Sequence, residues 1–326
     1  MIRLNRGTFQ FFGVITLLAF ILLHVQNSEA AMKKIQAFKF ADIYEPSTVV
    51  QLADGSVLIA EDEGDEPLFL SRVAGDGKDL KLEPVQIKEI DGALNDLEGS
   101  GLGKDGEVFL ITSHSTNQKG KRKKKREVLT RLVFKDGKVS EKTFYGDLHQ
   151  SIQKTLKKVH GIDDATSRQL NIEGLTFNSS KSSLLLGLRS PLAGDKAIIL
   201  VLENPYALFS KGQSPKFKQD KISLDIGGGG IRSITYDSRR KVYLVANEIP
   251  NKKGKLRPAL WAWDGKVHSS PVQVSLPKMK GMKNLEGMNF VKFQKKTFLL
   301  MVFDDGDRKK NKGAHYSFLD ASMLEY

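Results

Sequence analysis

The chain has 326 residues, no cysteine, and a formal charge of +13 from 51 Lys and Arg against 38 Asp and Glu. Without cysteine there is no disulfide framework and no thiol chemistry, so an apolar core must hold the fold. The basic excess favours anionic partners through long-range attraction, without saying which anion.

The chain opens MIRLNRGTFQFFGVITLLAFILLHVQNSEAAM. Arg3 and Arg6 form a basic tip, an apolar run covers 11–25, and Ser28 and Ala30 are small residues placed for a cut before Ala31. That layout predicts a secretory signal over 1–30. The run is short of the ~20 residues a spanning helix needs. The alternative is an uncleaved inner-membrane anchor, which would be the chain's one contact with a membrane. Either way the body is expected in the periplasm or outside the cell. Removing 1–30 takes two arginines and one glutamate, so 296 residues remain with a charge of +12. Residues 31–326 suffice for one large all-β domain.

Five segments then share one plan. They are EPSTVVQLADGSVLIAED from Glu45, EGSGLGKDGEVFLITSH from Glu98, EGLTFNSSKSSLLLGLRS from Glu173, RSITYDSRRKVYLVANE from Arg232 and EGMNFVKFQKKTFLLMVFDD from Glu286. Their leading residues lie 53, 75, 59 and 54 apart. Each is a short strand, a turn and a β-rich strand; the first two turns carry Asp54-Gly55 and Asp105-Gly106, a strong hairpin cue. Third and fourth strands follow from Val128, Ala197 and Ala259. The spacing predicts a β-propeller of five four-stranded blades, with room for a degenerate sixth. HYSFLDASML at the C-terminus is expected to share the last blade with the N-terminal KKIQAFKF. The longest gap holds a helix with Leu148, Ile152, Leu156 and Val159 on one face, Asp147 as cap and Gly161 as stop.

The EGL…LLLGLRSP segment, with GIRSITYD and NLEGMNF downstream, resembles a bacterial propeller family known only as a domain of unknown function. More distantly the pattern resembles the esterase-like domain of phytase-type propellers, which repeat an acidic Glu-Gly before each blade. Arg232 in unit four, and Glu45-Pro46 in place of Glu-Gly in unit one, depart from that pattern.

In a propeller the first strand of each blade is innermost, so residues at its start converge on the axis. Glycine after the acid lets neighbouring backbones approach closely. Glu45, Glu98, Glu173 and Glu286 are therefore expected to form an acidic ring with Arg232 inserted. Clustered carboxylates resist ionising. Three remedies stand open: a bound hard cation, Ca²⁺ or Mg²⁺, on these four glutamates; pairing with Arg232; or hydrogen bonds from backbone N–H groups of the next blade.

Each hairpin returns to the starting face. That face then also holds Glu61-Asp62, His114, Arg189, Asn247-Glu248 and Asp304-Asp305, the acidic loop 61–67 and the basic loops 119–126, 251–257 and 307–313. Arg189 and Arg232 can fork onto phosphate or carboxylate, and His114 or Asp304 can carry a proton. No nucleophile elbow, zinc-binding helix or phosphate loop is present. Export and the lack of an aromatic stacking platform argue against nucleic acid.

Two function classes follow. One is a metal-assisted hydrolase of an anionic ester, phosphoester or lactone, in which Glu98, Glu173 and Glu286 hold the cation, Arg189 and Arg232 neutralise the substrate, and Asp304 or His114 moves the proton. The other is a non-catalytic platform, acting as a monomer, for an anionic envelope component or a protein partner. Fold alone does not choose between them.

Overall fold

The computed structural model describes residues 35–326, apart from 77–78, 89, 91–93, 118, 278 and 280–281. The predicted leader over 1–30 lies outside the described residues. Gln36–Leu276 with Gly281–Tyr326 forms one compact unit; the other, Met1–Ile35 with Pro277–Lys280, lies almost wholly outside the described residues.

The large unit is a five-bladed β-propeller. Its blades are four-stranded antiparallel sheets. The inner strands are Pro46–Gln51, Leu97–Leu102, Asn171–Phe177, Ser233–Asp237 and Leu285–Phe293. Each hairpins into a second strand: Val57–Glu61, Val108–Thr112, Leu184–Ser190, Val242–Pro250 and Lys296–Phe303. These strands are rich in β-branched, leucine and aromatic residues and are buried on both faces, because each blade is covered by its neighbours.

The ring closes across the two ends of the unit. Phe38 pairs with Tyr316 and Lys39 with His315, so the fourth strand of the last blade comes from the start of the unit. Phe38 stacks on the Tyr316 ring at 5.4 Å and Phe40 packs on it at 4.5 Å. Between blades two and three, Phe109, Ile111, Leu175 and Leu186 form the largest core cluster. Burying each such side chain contributes on the order of 1.5–3 kcal/mol.

The predicted helix is present over Leu148–Thr155, and Leu148, Ile152 and Leu156 join that cluster. It ends at Gly161 in the left-handed conformation, with φ 70°. Two details differ. Asp147 accepts no capping hydrogen bond. The last turn, Leu156–His160, widens to a π-helix, which rotates the buried stripe so that His160 goes inside and Val159 is left half-buried.

The Glu-Gly pairs now have a structural reason. At Glu98, Glu173 and Glu286 the inner strand slips register: Gly99, not Glu98, opposes Ile111, Gly174 opposes Gly187, and Gly287 opposes Val302. Each glutamate is the extra residue of a β-bulge, a device that re-aims a side chain. The following glycine lies against the next blade. A Cβ on Gly99 would sit 2.7 Å from Leu175 Cβ, one on Gly174 2.9 Å from Ile231 Cγ2, and one on Gly287 2.7 Å from Thr48 Cα. No methyl fits there without backbone movement. Gly287→Ala, at the junction of blades five and one, should therefore destabilise the unit by about 1–3 kcal/mol. A fall in the urea midpoint with unchanged slope would register it.

In blade one the bulged residue is Ser47, between the pairs Pro46–Glu61 and Thr48–Ala60. Glu45 is thus two residues out of register with the other three glutamates, although it reaches the same face. Its blade begins with a proline where the others have a leucine or isoleucine, and the serine takes the bulge.

Candidate functional site

The bulged glutamates point into one axial cavity of about 210 Å³. It is lined by Glu45, Asp62, Glu98, Glu173, Arg189, Arg232, Asn284, Glu286 and Asp304, with Pro46 and Ser47. All four predicted glutamates, both predicted arginines and Asp304 are thus brought together. A larger groove of about 400 Å³ lies at the far end of the inner strands. There Arg239 forks onto Asp237 at 3.0 and 2.8 Å, and Tyr326 donates to the same carboxylate.

Arg232 organises the cavity. Its Nη1 lies 2.5 Å from Glu286 Oε1 and 3.3 Å from Glu173 Oε2, and its Nη2 lies 2.9 Å from Glu248 Oε2. Burial works against its charge, but these three carboxylates outweigh it and hold the guanidinium more firmly protonated than usual. Both terminal nitrogens of Arg232 are thus taken up by carboxylates of the protein itself.

Arg189 differs. Its Nη1 donates to Glu173 Oε1 at 2.7 Å, yet its side chain is 47% exposed and its other nitrogens donate to no described residue. It stands at the mouth with donors to spare. Glu173 is completed by Asn171 Nδ2 at 3.0 Å and is almost wholly buried.

The remaining acids are poorly compensated. Six carboxyls line the cavity against two guanidiniums. Glu98 has no hydrogen-bond or ion-pair partner among the described residues, and its residual exposure is to the cavity. Burial first, then Glu173, Asp96, Glu286 and Asp62, hold its carboxyl well above the usual carboxylate range. Burial, with Glu45 and Asp304 beside it, pushes Asp62 up to about 8. Glu286 is raised by burial and Glu173 in spite of Arg232. Glu45 and Asp304 are raised too, chiefly by burial, with Arg232 holding Asp304 back. Arg232 thus stays charged, while burial and Glu173 hold the Glu286 carboxyl above its usual range. Two buried oxygens, Asp62 Oδ1 and Glu286 Oε2, have no partner among the described residues.

None of the four glutamate side chains accepts a hydrogen bond from a backbone N–H among the described residues. Blade-to-blade stitching falls to the backbone: Asp96 N donates to Asp62 O at 2.7 Å, Ile172 N to Ser113 O at 2.8 Å and Ile231 N to Leu188 O at 2.9 Å. Side-chain ties such as Thr48–Ser100 at 2.7 Å add to it. The glutamates are free of that architectural duty.

His114 is not part of the cavity. It is 1% exposed, its ring stacks 6.0 Å from His149, and neither ring nitrogen has a partner among the described residues. Burial, then His149 and Arg122, lower it to about 3, so it stays neutral.

Asp62, Asn284 and Glu248 were not singled out by the sequence reading as site residues. Their signal is position: Asp62 directly follows the second strand of blade one, Glu248 lies two residues before the end of that of blade four, and Asn284 stands two residues before a bulged glutamate. Asp96 and Asn284 share that place and a left-handed backbone, with φ 66° and 53°, which Asp and Asn tolerate better than most residues. Asn284 Nδ2 donates to Asp304 O at 2.9 Å. Among the described residues no group of three or more His, Asp or Glu stands at metal-ligand spacing.

A family model described as a protein of unknown function, DUF3616, matches residues 164–320, the span of blades three to five. With the five-bladed fold, this supports an uncharacterised propeller family. No curated protein matches the sequence. Similar solved structures include an unknown-function protein from Dyadobacter fermentans, with TM-score 0.46 and 11% identity over 88% of this chain and 98% of that one. A GH43_1 enzyme from Xanthomonas citri gives TM-score 0.49 and 10% identity over 88% and 91%. The PQQ-bound aldose sugar dehydrogenase from Streptomyces coelicolor gives 0.42 and 13% over 90% and 99%. Two of these are enzymes; at such identities the likeness is one of fold.

Proposed function

We propose that the axial cavity is a hydrolytic site for a small anionic ester, phosphoester or lactone, in an exported propeller. The observation that carries the reading is the carboxyl excess: six acids against two guanidiniums, one of them fully committed. Strongly raised carboxyls in a cleft mark acid–base chemistry. In this reading Arg189 takes the substrate's negative charge at the mouth. Glu98, held protonated by burial and its neighbours, gives its proton to the leaving oxygen. Asp304, which Arg232 keeps closer to ionised, draws the proton from water. The repeated Glu-Gly pattern, which resembles that of esterase-like propellers, motivates the hydrolytic part of the reading, and the leader predicted over 1–30 the exported part.

The excess can also be met by a hard cation. The donor set is all oxygen, which suits Ca²⁺ or Mg²⁺. Glu98, Asp62 and Glu45 do not stand at ligand spacing and would have to close on it, since Arg232 already occupies Glu173 and Glu286; bound there, the ion would polarise the substrate's oxygen. The test is a panel of chromogenic phosphoesters, acyl esters and lactones, run with Ca²⁺, with Mg²⁺ and with a chelator. Glu98→Gln is expected to lower kcat by about 10²–10⁴-fold, and Arg189→Met to raise KM by about tenfold or more. Activity that survives chelation assigns the protons to the carboxyls alone; silence across the panel sinks the hydrolase.

A second reading has its own observation. Lys123, Lys124, Lys125 and Arg126 line a cleft with Glu63 and Asp65 on the site's face, and the 251–257 loop is exposed throughout. Such a rim suits a binding platform for an anionic envelope component. Binding to anionic envelope polymers that is lost when these lysines are replaced, with no turnover in the panel, would select it.

A further inference from the structure

The basic segment 119–126 is tied to blade two at a narrow neck. His114 stands two residues past the second strand, Val108–Thr112, and its N–H donates to Arg126 O at 2.7 Å. Thr112 N donates to Val128 O at 3.1 Å beside it. Glu127 is buried in the neck, and Arg122 forks onto its two oxygens, each at 2.5 Å. Lys119, Lys121, Lys123, Lys124 and Lys125 are exposed along the same segment. His149, in the first turn of the helix Leu148–Thr155, brings its Nδ1 to 3.8 Å from Glu127 Oε1. The His114 and His149 rings lie nearly parallel, at an angle of 6°.

Three buried nitrogens here have no hydrogen-bond partner among the described residues: Nδ1 and Nε2 of His114 and Nδ1 of His149. A folded protein leaves few buried polar atoms unpaired, so three in one place call for a reason. The surroundings oppose a charge on either ring. Arg122 is a cation beside both. His149 stands at a helix N-terminus, where the macrodipole disfavours a cation, and that first turn carries no acid. Asp96 is paired with Arg126 at 3.0 Å. Blade three meets the neck through Ile172, whose N–H donates to Ser113 O at 2.8 Å; the next residue, Glu173, is held by Arg189 and Arg232. Glu127 is the acid that could receive an imidazolium, and Arg122 already holds it. Burial and Arg122 accordingly lower His149, with Glu127 holding it back.

We infer that His114 and His149 form an acid-released clasp on this neck, which frees the basic segment 119–126 from blade two in mild acid. In the closed state both rings are neutral. When the neck parts, water reaches the rings and they take up protons that the closed state excludes. His149, once charged, competes with Arg122 for Glu127, so the fork that holds the segment loosens. The sign with pH is fixed by the direction of the shifts. Both closed-state pKa values lie below the ordinary histidine value of about 6.5, so the closed state is favoured above that pH and loses ground below it, by up to about tenfold per pH unit for each histidine. The clasp bears on the rim cleft lined by Lys123, Lys124, Lys125 and Arg126. It stands apart from the hydrolytic reading of the axial cavity.

The test is amide hydrogen exchange on the intact chain, corrected for the pH dependence of the intrinsic rates. Between about pH 7 and about pH 5, exchange in 112–117, 119–128 and 148–155 should quicken by about twentyfold or more. The second strand of blade five, Lys296–Phe303, should keep its protection. The double variant His114→Asn/His149→Leu should lose the acid response; asparagine tolerates the left-handed backbone at 114. Arg122→Met should be less protected at neutral pH, because the fork is gone. It should also respond less to acid, because Glu127 is then free to pair with a protonated His149. Equal protection at both pH values in the wild type, a quickening shared alike by all five blades, or an acid response that survives in the double variant would overturn the proposal. Should the double variant fail to fold, Arg122→Met decides it: an acid response as large as the wild type's overturns the clasp.

Discussion

Arg232→Met is expected to cost the fold about 3–5 kcal/mol near neutral pH, the usual loss when one partner of a buried ion pair is removed. Arg232 neutralises Glu173, Glu286 and Glu248 together, and Glu173 is left with only Asn171 and the half-exposed Arg189. Such a loss is a large share of the roughly 5–15 kcal/mol that stabilises a typical domain. The sign with pH follows from the carboxyls. Without the guanidinium the Glu286 carboxyl, already raised by burial and Glu173, rises further above its unfolded value, so the variant binds a proton more readily when folded and loses stability as pH rises. The deficit should therefore shrink on acidification. Arg232→Lys keeps the charge but loses the fork, and should fall between the two. Urea unfolding at neutral and at mildly acidic pH measures all three. A loss below about 1 kcal/mol, or one of equal size at both pH values, would show that Arg232 does not hold the cavity together.

Much of this arrangement was legible in the residues because a repeat averages out local noise. Leading positions at regular spacing, each followed by a hairpin turn, specify inner strands, and inner strands specify an axis. The closing pair was legible too, since KKIQAFKF and HYSFLDASML are each a strand short of a blade. The bulges were not. Register slips at Glu98, Glu173 and Glu286 depend on how the inner strand meets its partner, and a composition of Glu-Gly fits a straight strand equally well. For the same reason Glu45 seemed the counterpart of Glu98, when Ser47 holds that place. The role of Arg232 was hidden by Glu248, which sits one residue past buried Asn247 and gives the guanidinium its third carboxylate. His114 shows the opposite failure. Its chain position is on the axial face, but its left-handed backbone, with φ 58°, turns it toward His149.

Glu98 makes no bond to any described residue, so replacing it tests the charge of the cavity with little else disturbed. Asp62 has a folded pKa of about 8 against an ordinary 3.8, and Glu98 is raised in the same sense. For a group whose folded pKa lies above its unfolded one, the folded state keeps a proton that the unfolded state has lost. Stability then falls as pH rises from about 4 to about 8, by up to about 1.4 kcal/mol per pH unit for each such group. Below about pH 6.5 the lowered buried histidines, His114 and His160, oppose this trend, so the wild-type melting temperature should drop between about pH 6.5 and pH 8. Glu98→Gln mimics the protonated carboxyl, so it should match the wild type in mild acid, melt higher at about pH 8 and show a flatter profile. Asp62→Asn should do the same. A bound hard cation changes the pattern in one identifiable way: Ca²⁺ or Mg²⁺ would raise the wild-type melting temperature at the alkaline end and leave Glu98→Gln unmoved. Melting profiles across the window, with and without the ion, therefore separate protons from metal. A wild-type profile that rises between about pH 6.5 and pH 8 without added metal would mean the six carboxyls are already balanced, and the acid–base reading of the cavity would fall with it.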